Sequence, residues 1–303
     1  MDRDNDFIEL ILPYPQGGGS DQRARLTARY LGQALGREVQ VVNRTGAVTG
    51  HQAIADAAPD GRTIGMITGE IGMMHWHEGL TALVPSDYTP LAVPFVESSA
   101  IIVRADAPWA TLREFIDHVR REPVIGSGGP DFSVWKFSLL GLLHACGITL
   151  SQASWIETYS GEQGLANVME GRAHVAPITM TDARGPLKAG DVKALATMED
   201  VRHATFTEVP TVMEAIGVPW SVAHWRGLVA PRGLPRDIAL MFIEALREVQ
   251  RNEGFIAEAK ANSFTTRWRF DEDFRGYMAD DDEQFGKVIK LMGATGGSSG
   301  KLY

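Results

Sequence analysis

The 303-residue chain contains a single cysteine, Cys146. One thiol excludes an internal disulfide and any metal site built from several cysteines. Long apolar runs are missing as well. The strongest stretch, Leu139 to Leu143, is broken by Gly141 and falls far short of the ~18 residues a membrane span needs. Positive charge is scarce, with 29 Lys and Arg against 38 Asp and Glu, a net charge of −9 and a pI near 5.4. Nucleic acid is therefore not an expected partner, because a phosphate footprint needs clustered Lys and Arg. No charged-then-apolar leader opens the chain: Met1 to Asp6 is polar and acidic. Either the protein is cytosolic or a signal peptide has been removed, and the absence of disulfides decides little between the two. Low-complexity sequence is confined to Gly296 to Gly300, which reads as a flexible tail.

What is present is ordinary for a globular protein: 44% hydrophobic and 22% charged residues, long enough for two domains. Phe7 to Leu12 reads as a strand closed by Pro13. After the turn through Gly19, Ser20 or Asp21 is expected to cap a helix with Leu26, Tyr30, Leu31, Ala34 and Leu35 on one face, ended by Gly36 in the left-handed conformation. Strand Val39 to Val42, a helix at Gln52 to Ala58 and strand Thr63 to Thr68 follow. Further on, Ala100 to Val103, Val124-Ile125, Ala173 to Pro177 and Leu228 to Ala230 read as strands. Leu112 to Arg120, Phe137 to Ala145, Ser160 to Met169, Asp237 to Arg251 and Phe274 to Leu291 read as helices. Strands alternating with helices predict an α/β fold with a parallel sheet. Two strand, Gly-rich loop, helix units stand out, at Leu12–Leu26 and Ile125–Leu139. Each would aim backbone N–H groups and a helix N-terminus at one point, a ready anion site at the carboxyl end of a strand. Two such half-sites on two lobes suggest a cleft that grips an acidic small molecule.

Other chemistries find little support. Gly17-Gly18-Gly19-Ser20-Asp21 lacks the third glycine of a dinucleotide fingerprint, since position 22 is Gln, and lacks the Gly-Lys-Ser/Thr of a P-loop. His75-Trp76-His77-Glu78 places two histidines on diverging faces of either a strand or a helix, so these are read as loop histidines and no metal site is expected. No Gly-x-Ser-x-Gly elbow accompanies Gly126-Ser127-Gly128. Cys146, at the end of an apolar helix, is expected to be buried and inert. Trp135, just past the second loop, and Trp225 are candidates to line the cleft. Asp280 to Glu283 is expected to be a solvated helix face.

Several segments resemble the receptors of the tripartite tricarboxylate transporters, the Bug family of extracytoplasmic solute receptors. Pro13-Tyr14-Pro15-Gln16-Gly17-Gly18-Gly19-Ser20-Asp21 followed by Arg25 is similar to that family's opening signature. Val42 to Ala47, Pro59 to Thr63, Tyr88 to Leu91, Gly190 to Ala196, Val209 to Glu214 and Trp225 to Pro231 resemble later signatures, in the family's order. Each piece is weak alone; seven in order, spanning about residues 7 to 290, are specific. The resemblance implies an α/β, type II periplasmic-binding-protein fold with two lobes and a ligand cleft between them. Lobe one would comprise residues 1–103 and 224–295, and lobe two residues 104–223. Residues 296–303 would form the tail, and crossing strands would lie near Arg104 and Ala223. It further implies a periplasmic, monomeric Venus-flytrap receptor, not an enzyme and without a cofactor, that delivers a small carboxylate to membrane transporter subunits.

Carried over onto this chain, the resemblance places Tyr14, Gly18, Gly19, Ser20 and Asp21 in the first ligand loop, Asp21 acting as a cap because a carboxylate cannot donate to a carboxylate. Thr68 and Gly69 follow the third strand. Gly126, Ser127, Gly128, Gly129 and Ser133, with Trp135, form the second-lobe site, to which Thr179 and Thr181 add hydroxyls. Ser127→Ala, or a bulky residue at Gly18, is expected to weaken binding and leave the fold intact. The second loop departs from the family pattern: Pro130 to Lys136 is one residue longer, Asp131 adds negative charge and Lys136 a positive partner. Thr158 stands where Pro is common, and Ile178 where the family often has a polar residue. An aromatic or partly apolar acid packed on Trp135 or Phe132 becomes plausible beside a di- or tricarboxylate. Two readings stand beside the receptor: an α/β cleft enzyme acting on a carboxylate, with Asp131 and Lys136 as its acid/base pair, and a ligand sensor that signals through a membrane partner.

Overall fold

The computed structural model describes residues 7–77, 80–130 and 133–294. In chain order the elements are β1 (Ile8–Leu12), α1 (Gly19–Leu35), β2 (Val39–Asn43), α2 (Ala47–Ala55), β3 (Thr63–Thr68), α3 (Ile71–Met74), β4 (Tyr88–Arg104), α4 (Leu112–Val119), β5 (Val124–Ser127) and α5 (Val134–Ala145). They continue with β6 (Ala153–Ile156), α6 (Gly161–Met169), β7 (Ala176–Thr179), α7 (Arg184–Ala189), β8 (Val192–Thr197), α8 (Val212–Ile216), β9 (Ala223–Pro231), α9 (Arg236–Arg251), α10 (Glu253–Ala261), β10 (Thr266–Phe270) and α11 (Asp271–Ala294). The chain divides into two compact units. One runs to Val96 and resumes at Trp225–Gln284; the other is Glu97–His224 and resumes at Phe285. Arg104 ends β4 and Ala223 begins β9, and the division falls inside both strands.

In the first unit the strand order is β10-β4-β9-β3-β1-β2. β1 lies parallel to both β2 and β3, whereas β9 runs antiparallel to β3 and β10 antiparallel to β4. The sheet is therefore mixed rather than wholly parallel. Leu10 and Leu12 of β1 are buried with Ala24 and Leu31 of α1, Leu228 of β9, and Phe242 and Leu246 of α9. α1 ends as expected, with Gly36 at φ 62° donating its N–H to Gln33 O and Arg37 N–H closing on Gly32 O, a left-handed cap that glycine adopts without a Cβ penalty.

In the second unit the latter part of β4 pairs antiparallel with β7 and β8, and β5 pairs parallel with β6. Its core joins Ala100 and Ile102 of β4 to Leu165 and Val168 of α6 and to Ala176 and Ile178 of β7. α4 begins on a reciprocal Thr111–Glu114 capping box and α8 on Thr211–Glu214, each satisfying amides that a helix start leaves open.

Several expectations need correction. α1 starts at Gly19 with Gly18 as its N-cap, not at Ser20 or Asp21. α2 begins five residues before Gln52 and is over by Ala55. β4 is 17 residues long, not the four of Ala100–Val103. Pro90 and Pro94 mimic breaks, yet Val93 and Ala92 stay in register with Arg269 and Phe270 of β10. The strand expected at Ala173–Pro177 is β7, shifted to Ala176–Thr179. Asp281 and Asp282 are not on a solvated face: Trp225 Nε1–H donates to Asp281 Oδ2 at 2.7 Å, and Asp282 Oδ1 receives Trp76 Nε1–H at 2.8 Å and lies 3.0 Å from His75 Nε2. Trp225 is accordingly core, 1% exposed. Asp131, Phe132, Glu78 and the Gly296–Gly300 tail lie outside the described residues.

Candidate functional site

In the first unit the chain leaves β1 through Pro13 and turns at Gly17, whose φ of 88° suits glycine. It then enters α1 with no side chain capping its first amides. Asp21 supplies the missing order from one turn in. Its Oδ2 accepts the Gly17 N–H and Arg25 Nε–H, both at 2.9 Å, and its Oδ1 accepts Asn43 Nδ2–H at 2.9 Å. Burial alone would raise this carboxyl's pKa, but those donors outweigh it and hold it below the ordinary value. Asp21 thus locks the loop to the end of β2 and is fully engaged, consistent with a latch. Gly18 and Gly17 are left exposed, and a Cβ built on Gly18 meets only Pro15 O, at 3.7 Å. The first-turn N–H groups of α1 have no intrahelical acceptor and no capping side chain, at the end of a helix macrodipole that favours an anion.

Beside this turn stands a polar cluster. Tyr14 OH donates to Glu70 Oε2 at 2.7 Å and lies 2.6 Å from Thr68 Oγ1. Since the tyrosine proton is committed to the carboxylate, Thr68 donates to the phenol oxygen. Arg226, on β9 opposite Thr68 of β3, brings its Nε to 3.5 Å from Ser20 Oγ. Burial, and after it the Glu70 charge, pushes the Tyr14 phenol well above its usual pKa. Burial likewise raises Glu70, while Tyr14 and the Arg226 charge pull it down. Tyr14 and Thr68 are thus in direct contact, and Ser20 stands against Arg226 beside them. Gly69 is buried directly behind Thr68. Glu70 and Arg226 were not singled out from the sequence: Glu70 follows the strand in an unremarked Thr-Gly-Glu run, and Arg226 sits inside a mostly apolar strand.

In the second unit β5 runs into Gly128 and Gly129, at φ 149° and 78°. The Gly129 N–H donates to Thr158 Oγ1 at 2.7 Å, and Gly129 O accepts Thr158 N–H and Trp155 Nε1–H. Thr158, through its hydroxyl and its N–H, is what holds this turn. Ser133 caps α5, accepting Lys136 N–H and donating to Gly128 O at 3.2 Å. Ser127 is wholly buried; its hydroxyl donates to Ile156 O at 3.0 Å and accepts Asn167 Nδ2–H at 2.9 Å. Its side chain ties β5 to β6 and α6 rather than facing solvent. Gly126 packs against Trp155 and Leu139, and Gly164 of α6 rides on Gly128, where an added Cβ would lie 2.5 Å from Gly128 Cα. Trp135 is half-buried against Gly129, Gly161 and Ile178, its ring centroid 5.2 Å from that of His224. Its Nε1–H is buried without an acceptor among the described residues.

The two threonines after β7 are split. Thr179 is buried and its hydroxyl accepts Asp182 N–H at 3.1 Å; half-exposed Thr181 donates to Glu97 Oε1 at 3.0 Å. Nearby, Ser138 OH donates to Val134 O, so Ser99 must donate to Ser138 and His224 Nε2–H to Ser99, each at 2.7 Å. That polarity, and the complete burial of Ser99, give the histidine no lone pair on the serine proton, so this pair is not an activated nucleophile. Cys146 is half-buried, and burial raises its thiol pKa, the opposite of a reactive thiolate. Among the described residues no group of three or more His, Cys, Asp or Glu could hold a metal ion, and no helix is long and apolar enough to cross a membrane.

The chain is 26% identical over 291 residues to a protein encoded in the tcbD–tcbE intergenic region of a Pseudomonas species, covering 86% of this chain and 84% of that one. A TctC solute-binding protein from Polaromonas superposes with a TM-score of 0.82 at 25% identity, covering 95% of this chain and 99% of the other. Malate-bound MatC from Rhodopseudomonas palustris superposes at 0.78 with 22% identity, covering 93% and 98%. An adipate-bound protein of R. palustris superposes at 0.83 with 20% identity, covering 96% and 99%. The expected type II periplasmic-binding-protein fold, mixed α/β and two-lobed, is the fold of these neighbours. The family profile described as tripartite tricarboxylate transporter family receptor matches residues 23–294, and the chain belongs to that receptor family.

Proposed function

We propose that this receptor captures a small dicarboxylate or a related organic acid in the periplasm and hands it, unchanged, to a tripartite transporter in the membrane. The observation that carries the reading is the turn at Gly17 to Ser20. It joins two exposed glycines to a helix N-terminus whose first-turn amides have neither an intrahelical acceptor nor a capping side chain. One carboxylate would sit there, receiving backbone N–H groups and the Ser20 hydroxyl. Each such charge-assisted bond contributes about 1.5–3 kcal/mol. In the second unit the Gly128-Gly129 turn, with Trp135 as an apolar wall beside it, is read as a further ligand-binding loop, and the receptor as a monomer that works by lobe closure. Bound malate and adipate in two fold neighbours support an acid ligand. The inward polarity of the Ser99–His224 pair supports binding rather than turnover.

A thermal-shift screen over aliphatic di- and tricarboxylates, acidic amino acids and aromatic acids, with sugars and amines as controls, tests this. A ligand at 100 times its Kd adds about 2.7 kcal/mol of stability, so at least one acid should raise the unfolding midpoint by several degrees. Stabilisation by the sugars or amines alone would overturn the reading.

A further inference from the structure

We propose that Glu70 is a specificity residue of the first-unit site and that it selects a ligand carrying a cationic amino group beside its carboxylate. This rests on the receptor reading above, and it narrows the ligand from organic acids in general to amino acids.

The cluster around the Gly17–Ser20 turn is not uniformly anion-loving. The α1 amides, the Ser20 hydroxyl and Arg226 favour negative charge, as a carboxylate pocket requires. Glu70 places a carboxylate in the same cluster: its Oε2 takes the Tyr14 proton at 2.7 Å, and Tyr14 belongs to the loop that presents the amides. The other oxygen, Oε1, accepts no donor among the described residues, and Glu70 is only half-buried. An ionised carboxylate has about four acceptor directions, so this one retains capacity that the protein does not use.

Two consequences follow from that charge. A second carboxylate of a ligand brought toward Glu70 would meet like-charge repulsion. An ammonium brought to the same point would instead form a charge-assisted hydrogen bond, its charge offsetting the desolvation that raises the Glu70 pKa. The amides of the turn beside the Glu70 carboxylate suit a zwitterion better than a dianion. Tyr14 fixes the carboxylate rotamer, and Thr68 fixes Tyr14 by donating to the phenol oxygen. The acceptor is therefore held in place before the ligand arrives, which limits the entropy lost on binding.

The test uses carbon-matched series: for each chain length, the dicarboxylate, its α-amino derivative and the ω-amino monocarboxylic acid, titrated calorimetrically into the intact protein at pH 7.5. The assignment predicts that an amino-bearing member binds at least tenfold tighter than its deaminated counterpart. It also predicts that Glu70→Gln, which keeps an acceptor for Tyr14, cuts that ratio by tenfold or more. The wild-type ratio needs no variant, so a poorly folding Glu70→Gln would not protect the claim. Dicarboxylates binding as tightly as or more tightly than every amino derivative would overturn it while leaving the receptor reading intact. Dicarboxylate binding that strengthens toward low pH and is matched by Glu70→Gln would overturn it in favour of a protonated Glu70 that donates. Silence from every acid, aminated or not, would bring down the receptor reading and this assignment together.

Discussion

The indole of Trp225 donates its N–H to Asp281 Oδ2 at 2.7 Å, joining β9 to the middle of α11 through a carboxyl that the sequence alone would place in water. Burial, aided by the charges of Asp282 and Asp280, raises the Asp281 pKa to about 7, although the Trp225 bond opposes the shift. The unfolded value lies near 4. The folded state therefore holds its proton more tightly, and stability is lost as pH rises from about 4 toward 7. The unfolding midpoint should fall across that window, and Asp281→Asn, which keeps an acceptor oxygen for Trp225, should flatten the fall. Calorimetric midpoints at pH 5 and 8 for the two proteins check this; identical pH profiles would contradict it.

Gly18→Val tests the first loop. The backbone at Gly18 is extended, at φ −72° and ψ 170°, so valine is tolerated there, and a Cβ meets only Pro15 O at 3.7 Å. The poorer cap costs about 1 kcal/mol. Ligand affinity should drop by two orders of magnitude or more while the fold persists, as read by circular dichroism beside titration calorimetry. Unchanged affinity would remove the turn from the site.

Ser127→Ala should act on stability before binding. It leaves Ile156 O and Asn167 Nδ2 without the hydroxyl they share, in full burial, at a cost of about 1–3 kcal/mol. Urea midpoints for the pair of proteins measure it. A variant as stable as the parent but unable to bind would return Ser127 to the ligand-contacting set.

Gly164→Ala should destabilise even though alanine is the better helix former by about 1 kcal/mol. The added methyl would lie 2.5 Å from Gly128 Cα, and backbone has little room to yield; overpacking of this kind costs about 1–3 kcal/mol. The Gly128-Gly129 turn would shift with it, so affinity should fall alongside the melting temperature. A gain in stability would show that α6 does not press on the turn.

Local grammar made much of this molecule legible in the sequence. Strand β3 was readable to the residue, because Thr63–Thr68 lies between a Pro-Asp-Gly turn and a glycine. Gly36 marked the end of α1, and Ser160 the start of α6. What escaped depended on partners distant in the chain. β4 hides behind Pro90 and Pro94, and only its pairing with β10 identifies it. Asp281 and Asp282 look like solvent-facing charges until Trp225, Trp76 and His75 are folded against them. In the site, the glycine turn and Tyr14 could be read from their spacing after β1. Glu70 and Arg226 enter it only because β3 lies between β1 and β9. Ser127 and Ser133 were visible as residues of a Gly-Ser loop. Which way the Ser127 hydroxyl turns was not, because Asn167 and Ile156 lie tens of positions away.

The central claim, reversible capture of an organic acid without chemistry, is tested most directly by titration calorimetry of the stabilising acids, with the ligand then recovered and identified by NMR. The account predicts one site per chain, loss of the binding heat in Gly18→Val, and an acid recovered unchanged after prolonged incubation. Consumption of the acid, or no binding heat from any of them, would contradict it.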